Sequence, residues 1–279
     1  MHRVLRHFAH SLLCISLCCL PLGTPHALNT NLPDLGNSAR GLLSAEKERE
    51  LGQAFMRKVR QNQRVLNDPL LVDYIQQLGA QLLQNSPDSR QNFSFFILDN
   101  PEINAFAGPG GHIGIYSGLI LASQTESELA SVLAHEISHV TQQHLLRAWE
   151  TAGSMNIPAA AITLAAIALG MLAGSDAGIA AATVGQATLL QKQINFTRAN
   201  EKEADRIGID LLAKAGFEPR SMPAFFNRMG KANRIYESKL PEFLLTHPVT
   251  ANRIADALSR TEQYPYVQTR DELRYQLAR

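Results

Sequence analysis

Apolar positions recur at helical spacing early in the chain, and the polar residues between them mark where helices begin. Glu46 and Glu48 follow Ser44, and carboxylates in a first turn suit the positive end of a helix dipole. That predicts a helix from near Ser44 to about Gln61. A second helix is predicted after Asn67 and Asp68, with Pro69 pre-set for the first helical position. It carries Leu70, Leu71, Tyr74, Ile75 and Leu78 at helical spacing. The period then changes. Phe93 to Leu98 is short, aromatic and apolar, as a buried strand is. Asp99-Asn100-Pro101 reads as a turn. Ile103 to Ala107 and Ile113 to Tyr116 flank Gly108-Pro109-Gly110-Gly111 and predict a hairpin or short strand pair.

Long helices dominate the rest of the chain. Thr125 and Glu128 form a capping box, which predicts a helix from Thr125 to about Trp149. Ile157 to Leu190 is rich in Ala, Gly, Ile and Leu, and Asp176 is its only charge. Its Ala and Gly content inserts weakly into a bilayer, so it is expected as an apolar flap or hairpin that can touch membrane or client. Thr197 or Asn200 is expected to cap a further helix holding Glu201 and Asp205, ending near Gly216 with Pro219 beyond. Met222 to Met229 predicts another helix. Thr246-His247-Pro248 introduces a last one carrying Arg253 and Ile254.

The N-terminus changes the compartment. Arg3 and Arg6 precede an apolar run from Ser11 to Leu20 that is too short to span a bilayer. Residues 1–27 therefore read as a signal peptide, cleaved after Ala27, which predicts export. All three cysteines, Cys14, Cys18 and Cys19, lie in that leader. A mature chain without cysteine has no disulfide framework and no thiolate metal site. Any metal must be held by imidazole and carboxylate. The net charge of +1 and the lack of a basic stripe argue against a nucleic-acid partner. The glycine-rich turn is not a dinucleotide fingerprint, because Ile113 stands at its third position and no helix comes directly after it.

The candidate chemistry is His135-Glu136-Ile137-Ser138-His139, inside the helix that starts at Thr125. Histidines at i and i+4 share one helix face and can chelate one ion. Zinc bound in this way makes water acidic enough to lose a proton near pH 7. Glu136, beside the pair, is the expected general base, passing that proton to the leaving amine. A catalytic zinc needs a third protein ligand. Glu201 and Asp205 lie one turn apart, so that one can bind metal while the other holds a ligand imidazole. Glu203 points about 200° from Glu201 and is the weaker candidate. His144 is expected in solvent, off the ligand face, and His112 in the glycine turn is not expected to be a ligand. Asn104, Ala105 and Phe106 are the expected substrate strand, since an extended peptide can bind a strand edge by backbone hydrogen bonds.

With the ExxxD pair Glu201 and Asp205 after the HExxH helix, the chain resembles the zinc metallopeptidases of the CAAX prenyl protease and heat-shock membrane protease type. More closely, it resembles periplasmic members that act in outer-membrane barrel assembly. The matching stretches are Asn104 to Ala107, Ala134 to Gln142, Asn200 to Gly208, and Thr246-His247-Pro248. The resemblance implies a zincin-like α+β fold, mostly helical with a small sheet beside the active-site helix. It implies one zinc per chain, held by His135, His139 and Glu201, with His247 as a removable fourth ligand. Arg253 is then expected to polarise a scissile carbonyl or stabilise an oxyanion. The implied partners are unfolded or misassembled barrel proteins and the barrel assembly machine. On this reading residues 28–265 form the peptidase domain. Residues 266–279 are a tail or the start of a linker to a helical-repeat domain. The competing expectations are a zinc-binding chaperone that cuts rarely and a hydrolase of small amides or esters.

Overall fold

Side-chain caps fix where four of the described helices begin. A computed structural model describes residues 44–86, 92–147, 184–235 and 241–279. Helix α1 (Ala45–Asn62) starts at Ser44, whose hydroxyl accepts from the Lys47 N–H. Strand β1 (Val65–Leu66) comes next, and α2 (Pro69–Leu83) starts at Asp68, which accepts from the N–H groups of Leu70 and Leu71. Then come β2 (Ser94–Leu98), β3 (Ala105–Gly108), a single 3-10 turn (Pro109–Gly111), β4 (His112–Tyr116) and α3 (Ser117–Ala122). The sheet order is β1-β2-β4-β3. The β2/β4 pair is parallel and the other two pairs are antiparallel, so the expected hairpin forms between β3 and β4.

Successive side chains of a strand point to opposite faces, and the sheet is buried on both. Phe95, Ile97, Ala105, Ile113 and Ile115 join the main core. Phe96, Leu98, Phe106 and Tyr116 pack with Phe55, Met56 and Val59 of α1. The Phe106 ring meets those of Phe55, Phe96 and Tyr116 edge-on at 6.2, 5.9 and 6.2 Å. It lies over Gly114, its cross-strand partner, where a Cβ would come within 2.4 Å of the ring. β3 is the sheet edge and packs beside the long helix α4 (Glu126–Thr141).

Every residue of α4 from Glu126 to Ser138 is buried. Thr125 caps it by accepting from the Glu128 N–H at 3.2 Å. The box closes one residue further back than expected, because Glu128 accepts from the Gln124 N–H at 2.6 Å. Arg228 of α6 (Ser221–Ile235) forks onto the same carboxylate and reaches the Ala122 carbonyl. The helix does not continue to Trp149. It stops at Thr141, Gln143 turns to φ +54°, and one helical turn spans 144–147. The Arg147 guanidinium donates twice to the Gln142 carbonyl that this break frees, at 2.9 and 2.6 Å.

A second correction concerns α5 (Val184–Lys214). Neither Thr197 nor Asn200 begins it. A Thr or Asn side chain caps only where the preceding turn is not helical, and no proline interrupts residues 184–200. The end is as expected. Gly216 has φ +86°, and the Phe217 N–H donates to the Leu212 carbonyl at 3.1 Å, a left-handed stop that glycine favours. The chain closes with α7 (Glu242–Thr246), α8 (Ala251–Thr261), which Thr250 caps, and α9 (Leu273–Ala278). The expected leader 1–27 and most of the apolar segment 157–190 lie outside the described residues. Among the described residues no helix is long and apolar enough to cross a membrane.

The stretch 266–279, expected as a tail, is partly core. Tyr275 is buried, and its hydroxyl donates to the Ser123 carbonyl at 2.8 Å. Asp271 accepts from the Glu126 N–H at 2.8 Å, and the Glu126 carboxyl accepts from Tyr74 and from the Glu272 N–H, both at 3.0 Å. The chain end thus holds the start of α4. Tyr275→Ala should cost about 3–5 kcal/mol, as other buried aromatic truncations do. Tyr275→Phe should cost about 1 kcal/mol, for one lost hydrogen bond. Urea unfolding midpoints check both, and no loss in either variant would make 266–279 a tail after all.

Candidate metal centre

Two helices and one loop bring the histidine pair together with its partners. His135 and His139 stand one turn apart on α4, and their Nε2 atoms are 3.0 Å apart. Glu201, on α5, meets both: Oε2 lies 3.3 Å from His135 Nε2 and Oε1 lies 3.3 Å from His139 Nε2. His247, at the end of α7, points Nδ1 at the same spot, 3.1 Å from Glu201 Oε1 and 3.3 Å from His135 Nε2. One donor atom from each of these four residues lies within 4.8 Å of the others. The Phe243 ring lies against His247, with centroids 5.0 Å apart and planes at 30°.

Glu136 is the least satisfied group in the cluster. It is fully buried, and neither carboxylate oxygen has a hydrogen-bond partner among the described residues. His247 Nε2 comes within 3.3 Å of Oε1. A buried carboxylate without donors is costly, which suits a group that faces water or substrate in the working protein.

Asp205 lies behind His135, with Oδ1 3.0 Å from Nδ1. That contact suits a proton on Nδ1 and leaves the Nε2 lone pair directed into the cluster. Asp205 is held in turn by Arg253 of α8, through Nε and Nη2 at 2.7 Å each. Arg253 Nη1 also reaches Glu201 Oε2 at 2.8 Å and the Pro248 carbonyl at 3.0 Å. Its guanidinium rests on the Phe226 ring, 4.9 Å from the centroid. Every nitrogen of Arg253 is therefore engaged with the protein. In this arrangement Arg253 fixes Asp205 and Glu201.

Charge balance bears on what the cluster can hold. Glu136, Glu201 and Asp205 are buried together, and Arg253 brings a guanidinium against Glu201 and Asp205. Burial works against the charged form of Glu201, but His247, His139 and His135 outweigh it and hold Glu201 well below the usual carboxylate range. Burial likewise works against the charged form of His135. The neighbouring carboxylates Asp205 and Glu201 overcome it and raise His135 to about 10. Burial prevails at His139, which falls to about 4 despite Glu201. A divalent cation held among these carboxylates would supply positive charge to the cluster. Two imidazoles and a carboxylate, with no thiolate, are the donor set of a catalytic zinc and not of an all-oxygen magnesium or calcium site.

The remaining candidates are placed less uniformly. Asn104 is buried beside the His247 loop, where its Oδ1 accepts from Thr246 Oγ1 at 3.4 Å. Ala105 and Phe106 lie on edge strand β3, and the Phe106 ring points into the second core. A groove of about 190 Å³ runs between the glycine turn and the end of α4, with Ala107, Gly108, His139 and Gln143 in its walls. His112 stays in the sheet, where Nδ1 pairs with Ser94. His144 is not in solvent: it is buried between His139 and Glu203. Sequence reasoning also missed Phe226 and Arg147, which carry no motif of their own.

Comparison with known proteins places this geometry. The chain is 47% identical to a protein of Vibrio cholerae serotype O1 over 96% of this chain and 54% of the relative. The beta-barrel assembly-enhancing protease of Escherichia coli K12 is 44% identical over 83% of this chain and 47% of its own length. The mitochondrial metalloendopeptidase OMA1 of Bos taurus is 32% identical over 62% of this chain and 33% of its own. The chain spans about half the length of the bacterial relatives it matches. The family model of peptidase family M48 matches residues 69–261. That stretch takes in every helix and loop that supplies a side chain to the cluster, and the chain belongs to peptidase family M48.

Proposed function

We propose that this chain is a zinc-dependent endopeptidase of exported proteins, acting on misassembled outer-membrane barrel proteins. The observation that carries the reading is Glu136, a buried carboxylate without hydrogen-bond partners among the described residues, set beside three converging metal donors. A pure zinc scaffold has no need of it. His135, His139 and Glu201 would hold the metal, whose Lewis acidity activates water and polarises a carbonyl. Glu136 takes the proton from the attacking water on a carboxylate oxygen and returns it to the leaving amine. Asp205 orients His135, and Arg253 keeps Asp205 and Glu201 in place. The edge of β3 offers backbone groups to an extended peptide, which suits a protein substrate better than a small amide. The barrel-assembly role rests on the names of the bacterial relatives, and periplasmic export on residues 1–27. Contact with the assembly machine and with a membrane surface belongs to the same proposal.

His247 adds a latent state. Its imidazole reaches Glu201 on one side and Glu136 on the other, so it occupies the space in which Glu136 would meet water. Pro248 restricts the loop that must move. A closed site also favours the second reading, a zinc-binding chaperone that cuts rarely.

Glu136→Gln should keep one zinc while casein cleavage falls about 10²–10⁴-fold, the usual worth of a general base. Glu201→Ala should lose the metal on dialysis. Undiminished cutting by Glu136→Gln removes the proposed base, and full zinc content in Glu201→Ala removes the third ligand. His247→Ala should retain zinc and cut casein faster than wild type. Unchanged activity would take His247 out of the mechanism, and complete loss would make it a stabiliser of the transition state. Cell fractionation should recover a shortened form released by osmotic shock, whereas a full-length form resisting carbonate extraction would indicate an anchor.

A further inference from the structure

The two histidines on α4 are supported in different ways. His135 faces a carboxylate directly, Asp205 Oδ1 at 3.0 Å. Among the described residues His139 has no carboxylate at its Nδ1. Its Nδ1 lies 2.9 Å from Nδ1 of His144, and the two rings meet at 79° with centroids 4.7 Å apart. His144 Nε2 then lies 3.1 Å from Glu203 Oε2, and Arg147 Nη2 lies 3.1 Å from the same oxygen.

Proton counting fixes the direction of this chain. Two ring nitrogens at hydrogen-bond distance share one hydrogen, so one donates and the other accepts. His139 turns Nε2 toward His135 and Glu201, where a metal donor needs a lone pair. Its hydrogen is therefore on Nδ1, and Nδ1 donates. His144 accepts at Nδ1 and carries its own hydrogen on Nε2, where the Glu203 carboxylate accepts it. We infer that His144, Glu203 and Arg147 form a relay of positioning residues that sets the tautomer and ring orientation of His139 for metal binding. Glu203 does for one histidine, through an intermediate imidazole, what Asp205 does for the other directly. The ExExD run on α5 then has three roles in order: an outer support, reached through Glu203, lies between the central ligand Glu201 and the direct support Asp205.

The backbone is shaped for this contact. In an uninterrupted helix a residue five positions on points about 140° away around the axis. The break at Gln143, with its left-handed φ of +54°, turns His144 back onto His139. Arg147 serves both halves of the device, since it donates to the Gln142 carbonyl at the break and to Glu203. A histidine kept only to fill space would need neither the aligned nitrogens nor the carboxylate beyond it.

The inference rests on the metal site proposed above, and the test separates the two. Zinc affinity is measured on the full chain by competition with a chromophoric chelator, for wild type, His144→Leu, His144→Asn and Glu203→Gln. Loss of a group that orients a metal-bound histidine typically lowers affinity about 10–100-fold, and His144→Leu should show that loss. Asn can accept from His139 Nδ1–H through its amide oxygen, so His144→Asn should recover most of it. Glu203→Gln should weaken binding in the same direction and by less. The cobalt-loaded proteins should show the same order in their d–d absorption. In the zinc-loaded wild type, long-range nitrogen–proton NMR should find the hydrogen of His139 on Nδ1. Wild-type affinity in His144→Leu overturns the relay, and so does a hydrogen on His139 Nε2. Equal weakening in the Leu and Asn variants, with a parallel fall in metal-free melting temperature, would show that His144 only packs. A wild type that binds no zinc would remove the metal site itself, and the relay with it.

Discussion

Burying a carboxylate is among the costlier things a fold can do, and it is tolerated only when partners surround the charge. Between α4 and α5 this protein buries Glu136, Glu201 and Asp205 within a few ångströms of one another. Arg253 meets Glu201 and Asp205, His135 and His139 also meet Glu201, and His247 meets Glu201 and Glu136. The neighbouring structure answers to that cluster. Phe226 covers Arg253, Phe243 covers His247, and α8 starts where its third helical residue, Arg253, can reach Asp205. A cluster so short of positive charge is poorly balanced by the chain alone, and it is better balanced with a divalent cation inside.

Such a cluster needs a rigid frame, and α4 supplies it by being held at both ends. Its first turn is tied to α6 through Glu128 and Arg228 and to the C-terminal stretch through Asp271, Glu126 and Glu272. Its last turn is closed by Arg147 on the freed Gln142 carbonyl. A helix secured in this way keeps two histidines in a fixed relation while the loop that carries His247 hangs from the short helix α7. That loop is tied to the strand side by the Phe243 N–H, which donates to the Ile103 carbonyl at 3.0 Å, and by Thr246 on Asn104.

Local chemistry was the most legible part of the sequence. The caps at Ser44, Asp68 and Thr125 act within three residues of themselves, so they could be read without knowing the fold. The HExxH pair is likewise local, because helical spacing alone sets both rings on one face. What escaped depends on distant partners or on a broken period. His144 looked solvated only because α4 was extended past Thr141, and nothing in Gln142-Gln143 signals a left-handed turn. Its stabiliser, Arg147, and the carboxylate that His144 meets, 59 positions away, are tertiary facts. The same holds for Tyr275, whose partner Ser123 lies 152 positions earlier. Arg253 stands out in the sequence as a candidate, but its engagement with Asp205 and Glu201 cannot be read from spacing. The choice of Glu201 as ligand and Asp205 as support rests on the resemblance, because helical geometry leaves both open.

The contact between Phe106 and Gly114 has a consequence for alignment. The edge strand lies flat against β4 only where the partner residue has no side chain to lift the ring. Sliding β3 by one residue would set Phe106 against Ile113 or Ile115, and the ring would also change faces, leaving its aromatic nest on α1. The sheet therefore works as a keyed joint with a single seating. The position of the outer strand along α4 is fixed by an absence of atoms at one residue, some distance from any metal donor.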